Sequence, residues 1–286
     1  MKKLGAQALA AALAAVLLVP SFASADISIK LKGGIAYALA SEYNAGLLGA
    51  HDYIADVIGS PGGDYRPLHF GPELGAEIIV GLGGGFSLGL GASYARVSRE
   101  SVFNDDSSFF TVGETVTPRL TAVPIVLNLH REWTLGRALR LDVFAGAECL
   151  LATFRQDFRT ATDFFLFEET ESFQARKTAF GGQAGLSLDF EIAGGVDLFV
   201  QAEGRLAALT DVRGDASSQG NWFLGSWTGG ASSAYLWAYT LTESGKAYPQ
   251  LAVSLGAPTG TGITDVRKAR IDLSGASLSA GIRFRL

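Results

Sequence analysis

The chain has 286 residues, enough for one large β domain or two ordinary ones. Glycine supplies 36 of them, about 13% against a usual ~7%, while proline supplies only 8 and no Gly-X-Y period occurs, so collagen-like repeats and Pro-rich disorder are both excluded. Lys and Arg number 23 against 28 Asp and Glu, which argues against a nucleic-acid surface, and a charged fraction of 18% with a mean hydropathy of +0.24 is unusually apolar for a soluble protein.

Residues 1–25 read as a cleaved signal peptide. Lys2 and Lys3 form a positive start, Leu4 to Val19 is uncharged and mostly apolar, Pro20 breaks the run, and Ala23-Ser24-Ala25 is an A-x-A-type cleavage site before Asp26. The apolar run is short for a membrane-spanning helix. Cys149 is the single cysteine, so no intramolecular disulfide or cysteine-based metal cluster can form.

Beyond the leader, two long uncharged stretches are poor helices. Ile78 to Ala95 is interrupted by glycines, and Ala216 to Thr242 is rich in Ser, Gly and Thr. Period 2 fits better. The first segment alternates Ile27, Ile29, Leu31, Ile35, Tyr37 and Leu39 with Ser28, Lys30, Lys32 and Gly34. The second sets Phe70, Leu74, Ile78 and Val80 against Gly71, Glu73, Gly75 and Glu77, and the third runs Phe86, Leu88, Leu90, Ala92, Tyr94 after Gly83-Gly84-Gly85. The fourth has Val123, Ile125, Leu127 and Leu129 against Asn128 and His130. The fifth has Leu139, Leu141, Val143 and Leu151 against Arg140, Asp142 and Glu148. The sixth has Phe180, Leu186, Leu188 and Phe190 against Gln183, Asp189 and Glu191. The seventh has Val196, Leu198, Val200 and Leu206 against Asp197, Gln201, Glu203 and Arg205, and the last has Leu278, Ile282, Phe284 and Leu286 against Ser279, Arg283 and Arg285.

Each segment reaches the roughly 9–11 residues of a tilted transmembrane strand. A soluble antiparallel sandwich alternates too, but the connections decide between them. Segments two and three, and six and seven, meet at short Gly turns, and four and five at a modest turn near Trp133. The other connections are long, polar and acidic. That asymmetry predicts an all-β, transmembrane, antiparallel up-and-down β-barrel over residues 26–286, with short periplasmic turns and long extracellular loops. Eight strands are expected. Tyr235 to Leu255 could form a further hairpin and raise the number to ten, but its short arms and Pro249 and Pro258 favour an excursion within the last loop.

The closing stretch, Ile271-Asp272-Leu273-Ser274-Gly275 and then Leu278 to Leu286, resembles the last strand of small bacterial outer-membrane barrels. With the leader and the segments above, the chain resembles the OmpA/OmpX/OmpW-like outer-membrane β-barrel group, with Leu286 where an aromatic residue is commonest. The resemblance implies a Gram-negative bacterium, a porin-like membrane protein of the cell outer membrane, and recognition of Ile282, Phe284 and Leu286 by the barrel-assembly machinery. It implies no enzymatic activity and no cofactor, with outer-membrane lipid and lipopolysaccharide as surroundings and a monomeric state.

The inward positions predict a network of Lys30, Lys32, Glu73, Glu77, Arg140, Asp142, Glu148, Asp189, Glu203, Arg205, Arg283 and Arg285 that plugs a narrow lumen. No catalytic or metal motif emerges: no local motif supplies His51, His69 or His130, the last beside Arg131 and Glu132, with a catalytic Ser or carboxylate partner, and Asn104-Asp105-Asp106 lacks calcium-loop spacing. Between segments five and six, Phe154, Phe158, Phe164, Phe165, Phe167 and Phe173 either pack as strands prolonged beyond the membrane, against Trp222, Trp227 and Trp237, or form a surface patch, most exposed at Phe164, Phe165 and Phe167. The expected role is structural or adhesin-like surface interaction with an unidentified extracellular ligand. The alternatives are a small passive channel for apolar or small solutes and, behind it, a lipid-modifying membrane enzyme.

Overall fold

The computed structural model describes residues 26–58, 62–107, 110–162, 167–222 and 225–286. The signal peptide at 1–25 and the Phe164-Phe165 pair lie outside the described residues. In chain order the elements are β1 (Ile27–Ala38), α1 (Ser41–Tyr53), β2 (Gly62–Asp64), β3 (Phe70–Gly83), β4 (Phe86–Ser98), β5 (Ser101–Ser107), β6 (Phe110–Thr134), β7 (Leu139–Thr162) and β8 (Phe167–Ala193). They continue as β9 (Val196–Leu206), β10 (Ala208–Leu209), β11 (Arg213–Trp222), β12 (Gly225–Glu243), β13 (Lys246–Ser254), β14 (Ile263–Lys268), β15 (Ile271–Asp272) and β16 (Gly275–Arg285).

Eight antiparallel strands close into a ring. β1 pairs β3, which pairs β4; β4 pairs β6, β6 pairs β7, β7 pairs β8, β8 pairs β9 and β9 pairs β16. β16 then returns to β1, with Lys30 opposite Arg283 and Ser28 opposite Arg285. Every ring strand therefore has two hydrogen-bonded neighbours, and over its ring half no backbone edge is left open.

The narrow turns sit at one end. Gly83, Gly84 and Gly85 all have positive φ, at 88°, 63° and 79°, a run only glycine adopts without strain. Gly195, at φ 80°, turns β8 into β9. At the other end the connections depart from the expected long loops. β7 and β8 form one hairpin of 24 and 27 residues that leaves only 163–166 between them, and β6 runs for 25. Their period-2 pattern persists past the apolar segments because inward Phe and Ala replace inward charge.

These prolonged strands support a crown. Above Ala179, β8 changes partner from β9 to β11, and β11, β12 and β13 extend the sheet beyond the ring. The hairpin β12–β13 holds the Tyr235 to Leu255 excursion, and it lies off the ring. The first connection contains a helix where a loop was expected. α1 has glycines and no side-chain cap at Ala40, so its local signal is weak. Tertiary contacts hold it: Asn44 Oδ1 accepts from Leu68 N at 2.8 Å, Asn44 Nδ2 donates to Leu39 O at 3.1 Å, and Gly46 and Gly49 let α1 close onto Leu251 and Pro249 of β13.

Tyr43 and Leu47 of α1 thereby reach a crown core with Leu120, Leu150, Phe154, Phe173, Leu209, Leu236 and Ile271, all buried. Tyr43 meets Phe154 edge-on with centroids 5.2 Å apart, and Phe154 meets Phe173 at 6.3 Å. Phe154→Ala should lower unfolding stability by about 3–5 kcal/mol, as deletion of a packed ring does. Urea unfolding followed by fluorescence checks this, and a loss under about 1 kcal/mol would show that Phe154 is not packed.

Candidate functional site

The ring interior is polar at the end with the tight turns. Its charged side chains come from the strand positions out of phase with the outward Leu and Ile, so the alternation that builds the sheet also aims them inward. Because β1 and β16 are neighbours, Lys30, Lys32, Arg283 and Arg285 stand side by side, and carboxylates reach them from adjacent strands, as Glu73 and Asp197 do, and from across the ring, as Asp142 and Glu132 do.

Three tiers result. Nearest the turns, Arg285 Nε meets Asp197 Oδ2 at 2.6 Å and its Nη2 meets Glu132 Oε2 at 2.9 Å. Arg140 bridges Asp197 at 2.9 Å and Glu191 at 2.6 Å, and Arg283 Nη1 lies 2.9 Å from Glu132 and 3.0 Å from Asp189. In the middle tier, Lys30 Nζ lies 3.2 Å from Asp142 and 3.9 Å from Asp189, above the Phe199 ring. His130 joins this tier: its Nδ1 is 3.0 Å from Asp142 and its Nε2 3.0 Å from Glu77. In the upper tier, Lys32 lies 2.8 Å from Glu203 and 3.8 Å from Glu73, while Arg205 contacts Glu148 at 3.0 Å, Glu203 at 3.1 Å and Glu73 at 3.5 Å.

The glycine excess has a spatial cause here. A Cβ at Gly89 would strike the Glu77 carboxylate and the His130 ring, one at Gly146 would strike Asn128, and one at Gly185 would strike the Phe144 ring at 2.5 Å. Inward glycines leave the width that long charged side chains occupy in so narrow a ring.

All twelve residues expected in the lumen stand in these tiers. Sequence reasoning passed over four more partners: Glu132, Glu191, Asp197 and His130. All four share the inward phase of their strands, which is the signal that could have found them. His130 does have carboxylate partners, contrary to the reading of its local sequence, because Asp142 and Glu77 come from neighbouring and distant strands. Among the described residues no group of His, Cys, Asp and Glu is arranged to hold a metal. His51 lies on α1 beside Asp52, and His69 bonds Ala38 O at 2.8 Å and stacks on Tyr37.

Above the tiers the interior turns apolar, a layer not foreseen in the sequence. Leu120, Ala122, Leu150, Ala152 and Ala179 point inward under α1, so the ring is filled by charge pairs below and by hydrocarbon above. In the crown Phe167 stacks on Trp227 at 5.5 Å, and Trp237 packs with Tyr235 at 5.8 Å. A cleft of about 280 Å³ opens beside Phe158, Glu171, Phe173, Ser217, Gly230 and Val253. Ile282, Phe284 and Leu286 face outward on the closing strand, and Leu286 N bonds Ile27 O at 2.8 Å.

No protein family and no curated protein matches this chain. Among solved structures it is similar to a major outer membrane protein from Thermus thermophilus, at 11% identity and a TM-score of 0.41, over 92% of this chain and 100% of that one. It is also similar to a chain of the RagAB peptide transporter (10% identity, TM-score 0.18) and to one of the RagAB peptide importer in the closed-closed state (11%, 0.17). It spans 41% and 40% of those two chains.

Two outcomes follow from the site. Lys30 is 2% exposed between Asp142 and Asp189, so Lys30→Met should cost about 3–5 kcal/mol by leaving buried carboxylates without their cation. Equal urea midpoints for the variant and the wild type would contradict this. In the crown, burial, then the Glu171 charge, raises Glu114 above its ordinary pKa, and burial, then the Glu169 charge, raises Glu171. A raised carboxylate favours the folded state while it stays protonated, and that advantage is lost as pH rises through its folded pKa. Glu114→Gln should therefore stabilise the crown at neutral pH and do so less at acid pH, as limited proteolysis at the two pH values would show. A stabilisation independent of pH would contradict the assignment.

Proposed function

We propose that this chain is an outer-membrane β-barrel whose ring crosses the bilayer, with both termini and the tight turns in the periplasm and the crown outside the cell. The observation that carries the proposal is an inversion of ordinary burial. Around the whole ring, Leu31, Ile35, Leu74, Leu88, Leu127, Val143, Phe180, Leu188, Val200 and Leu278 are exposed, while Lys30, Glu73, Asp142, Asp189, Asp197 and Arg283 are buried. In water that arrangement exposes a continuous apolar band. In a bilayer it is the stable one, because lipid covers the band and a closed ring leaves no open backbone edge. The export signal read at residues 1–25 supports the same location.

The filled interior supports a role without bulk conduction. Salt bridges cross the lower lumen and α1 with its apolar partners closes the upper, so the part free to act is the crown. The chain then serves as a structural or surface-interaction barrel that presents the cleft beside Phe158 and Glu171. The passive-channel alternative needs a continuous path that the paired side chains occupy.

Two measurements test this reading. Folded protein should insert into lipid vesicles, migrate differently on a gel before and after boiling, and show little steady conductance in planar bilayers. A large ohmic conductance would overturn the closed lumen, and recovery as a soluble monomer without lipid or detergent would overturn the membrane location. Leu188→Arg should cost about 2–4 kcal/mol in vesicles if that side chain faces mid-bilayer lipid, and a negligible cost would contradict the placement.

A further inference from the structure

Four arginines share one outward strip of the ring: Arg96 on β4, Arg119 on β6, Arg155 on β7 and Arg176 on β8. Each is in phase with the outward apolar residues of its own strand, Tyr94, Ile125, Leu151 and Phe180. The register sets them in two adjacent rows. Arg96 opposes Thr121, Thr121 opposes Thr153, and Thr153 opposes Arg176. In the next row Ser98 opposes Arg119, and Arg119 stands directly opposite Arg155.

Like charges directly opposed on a strand pair are destabilising, and the protein offsets only one of these four. Asp157 takes Arg155 at 2.9 Å. Among the described residues no carboxylate pairs with Arg96, Arg119 or Arg176, and Arg119 Nε is buried without a hydrogen-bond partner. The strip is also one-sided, since the outward positions of β9, β16, β1 and β3 carry no Lys or Arg.

Its height is informative. On β6 the outward residues from Trp133 to Val123 are aromatic or aliphatic except Arg131, which lies against the rings of Phe86 and Trp133. That stretch, at about 3.3 Å per residue and ~40° of tilt, rises about 25 Å, the height of the apolar band of an outer-membrane barrel. Arg119 comes four residues beyond Val123, and Arg96 two beyond Tyr94. The arginines therefore stand at the level where lipid headgroups begin, on the crown side.

We infer that this strip binds the phosphorylated headgroup of an outer-leaflet lipid, an inference that rests on the membrane placement proposed above. Arginine forks match phosphate oxygens in geometry and charge. The Thr121 and Thr153 hydroxyls lie between them as neutral donors, and a phosphate there relieves the Arg119–Arg155 repulsion. The acyl chains continue down the same face over Ile125, Leu151 and Phe180.

The test uses the full folded chain in neutral detergent, titrated with short-chain phosphatidic acid, short-chain phosphatidylcholine and inorganic phosphate, with retained lipid read by native mass spectrometry. The wild type should prefer phosphatidic acid to phosphatidylcholine. Arg96→Gln, Arg119→Gln and Arg176→Gln should each weaken that binding about fivefold, and the triple variant about a hundredfold, at the usual contribution of an arginine near an anionic surface. Arg131→Gln, at the other end of the ring, should leave it unchanged. Should the triple variant lose its gel shift on boiling, the single variants carry the comparison. Binding of phosphatidic acid that is equal in the wild type and the variants overturns the inference. Displacement of the lipid by inorganic phosphate at equal concentration overturns the lipid as its source. Insertion of the wild type into phosphatidylcholine vesicles is scored alongside. Insertion without a preference for phosphatidic acid overturns this inference alone, and failure to insert overturns the membrane placement with it.

Discussion

The pairing of β16 with β1 is the contact on which the other features depend. Once Lys30 stands opposite Arg283 and Ser28 opposite Arg285, the eight ring strands have no free edge. Backbone donors and acceptors of the ring half then face a neighbouring strand, with a break between Ala92 and Ala95 of β4 opposite Pro124, and such pairing is what hydrocarbon surroundings demand and water does not. Closure also fixes which side chains share the interior. It sets the basic positions of the first and last strands side by side, so that Asp142 can reach Lys30 across a narrow lumen while Asp189, Asp197 and Glu203 reach the basic groups from β8 and β9 on the side of β16.

Burying so many charges is tolerable only because they are paired. Removing an isolated ion from water is costly, and a buried network is stable when each member keeps its partners. Here the carboxylates Glu132, Asp142, Asp189, Asp197 and Glu203 each touch at least two basic side chains. Space for these long side chains comes from inward glycines such as Gly89 and Gly146. Glycine excess, charge pairing and narrow bore are thus one design, and the apolar filling under α1 completes it from the other end.

Most of the ring was legible in the sequence because a period of two cannot be mistaken over strands such as Val196 to Leu206 or Leu278 to Leu286. The same alternation aimed Lys30, Arg205 and Arg283 inward. What it could not show was the partner across the lumen. His130 has Glu132 two residues along its own strand, yet the acids that flank it once the ring closes are Asp142 and Glu77, from other strands. The crown was less legible for a different reason. α1 has glycines and no cap, and it is held by Asn44 and by the close fit of Gly46 and Gly49 on β13, contacts that exist only in the folded state. The phenylalanines around Phe154 and Phe173 signalled packing, but not that Tyr43 would be the ring they meet.

The central claim is that adjacent residues of a ring strand face lipid and a closed polar interior in strict alternation. Spin labels placed one at a time from Leu278 to Arg283 on β16, in a Cys149→Ser background and in vesicles, test it directly. Oxygen, which partitions into lipid, should reach labels at 278, 280 and 282 readily and those at 279, 281 and 283 poorly, while a water-soluble relaxing agent should reach neither set well. Uniform accessibility along the strand, or free access of the water-soluble agent to 278, 280 and 282, would contradict the account.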